Sequence, residues 1–411
     1  MAESKLLVLY VPSLDRRWLD PGLTPFVCEA LARHGETLLH THPSPELLAT
    51  MITGTWPHEH GCWQVSRLPP APRTALQKLI DCLPHRWTTT FQCLRHRLNP
   101  EFDVPTVEPR RRRQLKFHRI KNMRRKGGDA QEIRLDVPTV FDLLGSEASR
   151  FHTVFSFDIH PKLADLIDGE PVLDMIELYT LDLFSHWNID RPEAMRQQIA
   201  EVDRQLAETT AKADALGVTT LLVVDHGHEP TRNTIDLAKV LRETGVPEDE
   251  YLFYAEVGNA RLWYDTDRAR QVIESALREL EHATYLTAEE MAKHHIHFPP
   301  ESGFGDGYLN SHAGTILFPH DFYHPLVNAY MARKTTEQVG RKISPIHRGN
   351  HGGLPDQHPV DTGYLVPLNG SFAPLPNEAS IIDVAPTMFS LLGKETPEGM
   401  AGRILLERAT T

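Results

Sequence analysis

Two short runs constrain this chain more than anything else in it. Leu6–Val11 (LLVLYV) and Val218–Val224 (VTTLLVV) are apolar or β-branched throughout, without polar alternation. Each stops abruptly, the first at Pro12 and the second at Asp225-His226-Gly227-His228. A run of this kind is the pattern of a strand buried on both faces, which is the usual state in a parallel sheet. Helical patterns fall between such runs. Thr24–Gly35 opens with a Thr cap, has Pro in its first turn and ends at Gly. Residues 192–216 form a long amphipathic pattern, and 267–283 and Leu286–His294 also have helical spacing. Pro138–Gly145 begins another helix, and Ile381–Leu392 is a helix with Asp383 as its cap and Pro386 in its first turn. Phe151–Phe157 and Tyr364–Pro367 have the character of strands. Strands alternating with helices predict an α/β fold: a mostly parallel central sheet with helices on both faces and inserted cap regions.

The same pattern divides the chain. Residues 1–63 form a first part of the core and 64–135 a basic, proline-containing insertion. Residues 136–230 return to the core, 231–345 form a cap or insertion region, and 346–411 close the core. Composition excludes several classes. With 40% hydrophobic and 24% charged residues the chain is not a disordered tail. The four cysteines, Cys28, Cys62, Cys82 and Cys93, contain no C-x-x-C pair, which argues against a zinc ribbon or a disulfide framework. The opening residues lack the basic region of a secretion signal, and no stretch reaches the roughly 20 apolar residues of a membrane helix. The expectation is a cytoplasmic protein in a reducing compartment.

In open α/β sheets ligands bind beyond the carboxyl ends of the strands, so polar residues just after each buried run are the candidates for chemistry. Asp225 and His226 follow the second run at once. Asp182 and His186 lie four apart in YTLDLFSH, a spacing that puts both on one face of a helix. His351 sits in the glycine-rich loop IHRGNHGGLPDQH (346–358). Carboxylate and imidazole together suit a divalent transition metal. The total of 23 histidines makes such a centre worth seeking, because imidazole is the commonest side-chain metal ligand.

Taken in order, TP…G (24–35), TG-x-x-P-x-x-HG (53–61), D-x-x-x-H (182–186), VVDHG (223–227), HGG (351–353) and DVAPT-x-x-x-LLG (383–393) resemble the alkaline phosphatase superfamily. They are closest to its type I phosphodiesterase / nucleotide pyrophosphatase branch, as is Gly393–Leu405 (GKETPEGMAGRIL). The resemblance implies one or two divalent ions, zinc ahead of manganese or iron. It assigns Asp182, His186 and His351 to one ion, and Asp225 and His226 to the other. It implies a hydroxyl nucleophile, for which Ser44 is the candidate by position, with Thr41 and Thr50 as alternatives. It also implies a phosphorylated small-molecule substrate and hydrolysis of phosphodiester, pyrophosphate or phosphonate bonds.

Two positions depart from the branch's pattern. Pro12 stands where the first metal-binding Asp is expected, with Asp15 three residues further on as a substitute ligand or a helix cap. Leu47 stands where an Asn is expected to donate to a phosphoryl oxygen. The alternative reading is therefore a degenerate or repurposed single-metal member of the same fold. In a rearranged site His228, His312, His320, His347 and His358 are spare imidazoles, His358 first among them because it shares a loop with His351. A sulfatase reading is disfavoured, since Cys93 lies in CLRHR without the required proline. Residues 110–126 (RRRRQLKFHRIKNMRRK) hold 10 of the 43 Lys and Arg and no Asp or Glu. This segment is either a solvated surface or a binding site for an anionic ligand, whose grip would weaken with salt.

Overall fold

A computed structural model describes residues 4–44, 47–62, 135–154, 162–297, 305–321, 346–354 and 357–408. The basic segment 110–126 and nearly all of the 64–135 insertion lie outside the described residues.

The central sheet has seven strands. In chain order they are β1 (Leu6–Tyr10), β2 (Thr37–His40), β3 (Ser149–Thr153), β4 (Leu173–Glu177), β5 (Thr219–Val224), β14 (Thr362–Pro367) and β15 (Glu378–Ser380). Their order across the sheet is β15-β2-β14-β5-β1-β4-β3. All pairs are parallel except the two made by β14. β1 is central, with Leu6 in register with Leu173 on one side and Thr219 on the other. Each of its residues is buried. Leu6, Val8 and Tyr10 join the core on one face, beneath helices Leu48–Thr53, Val140–Leu144 and Val384–Leu391. Leu7, Leu9 and Val11 join the core on the other face, under helices Pro25–His34, Thr180–Asn188 and Pro192–Ala215. That two-sided burial is why the run has no polar alternation, and each Leu so buried contributes about 1.5–3 kcal/mol. The α/β fold with a mostly parallel sheet and helices on both faces is thus the fold of the protein.

The region between β5 and β14 builds a second sheet. β8 (Tyr251–Ala255), β9 (Asn259–Tyr264), β10 (Ala283–Thr287) and β11 (Gly307–Ser311) form an antiparallel sheet of order β10-β11-β9-β8. Its own core packs Phe253, Leu262 and Leu309 against Ile273 and Leu277 of helix Asp267–Arg278. Two small ladders link it to the rest: β6 (Glu229–Pro230) pairs with β13 (Gly349–Asn350), and β7 (Asn233–Ile235) pairs with β12 (Thr315–Leu317). Two sequence readings change here. The helix expected over 267–283 ends at Arg278, and Ala283–Thr287 is strand β10. The helix expected from Leu286 begins at Ala288, because Thr287 and Glu290 close a capping box that fixes its start.

Candidate metal centre

Because β1, β2, β3, β4 and β5 run the same way, their carboxyl ends share one edge, and antiparallel β14 brings its start to that edge. Five loops meet there. After β4, helix Thr180–Asn188 carries Asp182 in its first turn and His186 one turn later, on one face. After β5 come Asp225, His226 and His228. β13 delivers His351, β1 delivers Ser13, and β2 delivers Ser44.

Asp182 is the hub. Its Oδ2 lies 3.7 Å from His186 Nε2. Its Oδ1 lies 3.5 Å from His351 Nε2, 3.7 Å from His228 Nε2 and 3.9 Å from His226 Nε2. These distances exceed those of hydrogen bonds. They are close to the spacing of two ligands on one ion, since atoms about 2.0–2.2 Å from a tetrahedral metal lie about 3.4 Å apart. The ligand atoms of Asp182, His186, His228 and His351 all lie within 4.8 Å of one another. The Asp182, His228 and His351 side chains are almost wholly buried. His228 Nε2 is a buried nitrogen with no hydrogen-bond partner among the described residues. A buried donor set of one carboxylate and three imidazoles, with a lone nitrogen aimed inward, fits a divalent ion of the transition series.

The outer atoms are anchored. His186 Nδ1 faces the Gly349 carbonyl at 3.0 Å, which makes Nδ1 the protonated nitrogen and leaves Nε2 free to ligate. His226 Nδ1 likewise faces the Gly227 carbonyl at 3.0 Å. The His226 ring stacks on His351, centroids 3.7 Å apart and planes 8° from parallel. The backbone N–H groups of Gly352 and Gly353 donate to the buried Asp361 carboxylate at 3.1 and 2.6 Å, clamping the turn behind His351. Gly353 can only be glycine there, because a Cβ would lie 2.1 Å from the His358 ring.

Asp225 and His226 sit beside this group rather than in it. Asp225 accepts from the Tyr10 hydroxyl, and its Oδ2 is 3.4 Å from His226 Nε2. Burial pushes the Asp225 carboxyl above its ordinary value, against the pull of His226 and the Tyr10 bond. Burial alone would lower His226, but Asp225, Asp182 and Asp361 together hold its imidazole above the ordinary value. His228 goes the other way: burial, and then the neighbouring His186, His226, His347 and Arg17, push it well down.

Near β1, Asp15 is the cap and ion-pair partner of the short helix Arg16–Trp18, accepting from Arg17 N at 2.9 Å and Arg17 Nε at 2.7 Å. It packs so close to Gly227 that a Cβ there would lie 2.3 Å from Asp15 Oδ2. Ser13 does what sequence reasoning missed. Its Oγ is 3.0 Å from both Asp182 Oδ1 and His228 Nδ1. Ser44 is buried after β2, next to Pro43, whose carbonyl accepts from the Tyr308 hydroxyl at 3.2 Å. Thr41 is engaged with the Asp361 carbonyl and Thr50 with His60. Among the spare imidazoles, His358 donates to the Ser311 carbonyl at 2.8 Å and His312 pairs with Thr284, while His228 turns to Asp182.

The fold and this cluster define an α/β protein with a buried carboxylate–imidazole cluster, able to hold a metal ion, beyond the ends of its parallel strands. A family model, type I phosphodiesterase / nucleotide pyrophosphatase, matches residues 84–316, and the chain belongs to that family. The family is metal-dependent, and its members are of the phosphodiester hydrolase kind. Among solved structures the chain is similar to murine ectonucleotide pyrophosphatase / phosphodiesterase 5, in an inactive variant in complex with AMP, at a TM-score of 0.61 and 13% identity. The human counterpart superposes at a TM-score of 0.60 and 13% identity. Each alignment covers 96% of both chains, and at that identity the likeness is one of fold. A comparison with curated protein sequences returned no match.

Proposed function

We propose that the protein is a metal-dependent hydrolase of phosphodiester or pyrophosphate bonds in nucleotide-like substrates, with phosphonates as a further substrate class. The observation that carries this reading is the convergence of His186, His228 and His351 on Asp182 at the carboxyl edge of the sheet. The residues that would hold an ion are these four, with Asp225 and His226 adjoining. Zinc suits the set best, with manganese or iron in its place. A bound ion would supply Lewis-acid stabilisation of a phosphoryl oxygen and lower the pKa of a hydroxyl beside it. Ser44 Oγ is the proposed nucleophile: it forms a bond to phosphorus as the bond to the leaving oxygen breaks, and water then releases the phosphoryl group. Support for a nucleotide-like substrate comes from the AMP in the murine relative.

A second reading is favoured by Pro12 and Leu47: a repurposed member of the fold that binds a phosphorylated ligand or runs another metal-dependent reaction. One experiment separates the two. Purified protein is assayed with aryl phosphodiesters and dinucleoside pyrophosphates, as wild type and as Ser44→Ala. Hydrolysis by the wild type, reduced about 10³-fold or more in the variant, supports the first reading. Absent turnover, or turnover indifferent to Ser44, supports the second.

A further inference from the structure

Ser13 has three properties that belong together. It is buried, its backbone is left-handed at φ +73°, and its hydroxyl lies 3.0 Å from two members of the cluster. A non-glycine residue rarely adopts that conformation, and it persists where surrounding contacts enforce it. Here the left-handed turn follows Pro12 and directs the hydroxyl between Asp182 and His228.

The hydroxyl has one proton, and its placement is fixed by counting donors and acceptors. Asp182 as a carboxylate only accepts, so Ser13 Oγ donates to Asp182 Oδ1. His228 Nδ1 must then be the donor of the second contact, N–H to Ser13 Oγ. A neutral imidazole protonated at Nδ1 carries its lone pair on Nε2. That atom is the buried, unpartnered nitrogen 3.7 Å from Asp182 Oδ1. His186 has the same arrangement from another direction, with Nδ1 anchored on a carbonyl and Nε2 turned to Asp182.

We propose that Ser13 is a positioning residue that fixes His228 as a metal ligand, so that Asp182, His186, His228 and His351 hold one divalent transition-metal ion through four side chains. This deepens the metal-dependent reading above and rests on it. His226, farthest from Asp182 of the four imidazoles and stacked flat on His351, supports the centre from outside.

The test uses the full chain, stripped of metal and titrated with Zn²⁺ by calorimetry, together with ¹⁵N NMR of the histidine rings. In metal-free wild type, His228 shows the Nδ1-protonated tautomer. Zn²⁺ binds at one ion per chain and shifts the His228 Nε2 resonance. Ser13→Gly removes the hydroxyl while relaxing the left-handed backbone, so the fold is kept. It weakens Zn²⁺ roughly 10–100-fold, as expected for loss of an outer hydrogen bond to a ligand, and releases the His228 tautomer preference. His228→Ala weakens Zn²⁺ further. The proposal is overturned if Zn²⁺ binds wild type tightly while His228 resonances stay unmoved, or if Ser13→Gly leaves affinity and tautomer unchanged. If wild type binds no Zn²⁺, Mn²⁺ or Fe²⁺ at all, the metal-centre reading itself fails, and the proposal with it.

Discussion

Asp182 lies 3.5–3.9 Å from the Nε2 atoms of four imidazoles, and no other described carboxylate has such a setting. Asp182→Asn keeps the shape and removes the charge; Zn²⁺ affinity should fall at least roughly 100-fold, measured by calorimetry. A separate prediction concerns protons. Burial, and then the nearby His295, hold His42 at a pKa of about 3, and burial holds His320 at about 4. In the unfolded chain both titrate near 6.5. Below that pH the unfolded state binds protons that the folded state refuses, so stability falls as pH drops from 6.5 toward 4. Each imidazole contributes roughly 1.4 kcal/mol per pH unit in that window. Urea unfolding between pH 7 and 5 should show the slope, and His42→Phe should remove its share. Of the candidate cluster, the coming together of Asp182, His186 and His351 was legible because spacing along a helix and a glycine-rich loop put them in the sequence as motifs. The place of Ser13 beside it was not, because that placement depends on a positive φ, and a serine after proline does not announce one.

At the scale of elements, the small antiparallel sheet reaches the carboxyl edge of the central sheet through side chains from β11. Tyr308 donates to the Pro43 carbonyl beside Ser44. Asn310 Oδ1 accepts from Leu354 N at 3.2 Å, next to the His351 turn. Tyr308→Phe leaves a buried carbonyl without this donor. It should cost about 1–3 kcal/mol in denaturant unfolding and, if Ser44 is the nucleophile, lower kcat more than it raises KM. The central strands were readable because two-sided burial leaves unbroken apolar runs. β10 was not: ATYLT follows an amphipathic helix so closely that the helical period runs on into it, and only pairing with β11 makes it a strand. His228 stood in the sequence only as one of five spare imidazoles, behind His358, for a related reason. Its inward turn comes from the close approach of Gly227 to Asp15 and from the two-residue ladder of β6 with β13, and neither leaves a periodic trace.

For the molecule as a whole, the proposed metal site is a junction of five loops. An ion present at 100 times its Kd stabilises the folded state by about 2.7 kcal/mol through mass action. Stripping the protein with a chelator should therefore lower its thermal midpoint by several degrees, and equimolar Zn²⁺ should restore it, as followed by circular dichroism. The position of β1 has a temporal consequence. This strand lies far ahead of both its sheet neighbours, β4 and β5, along the chain, so Leu6 pairs only once Leu173 and Thr219 have been made. His351 comes later still. Until its neighbours are made the nascent chain carries an unpaired apolar strand, the kind of surface that promotes aggregation. Capture of an ion by all four side chains of the proposed centre would require translation to have passed His351.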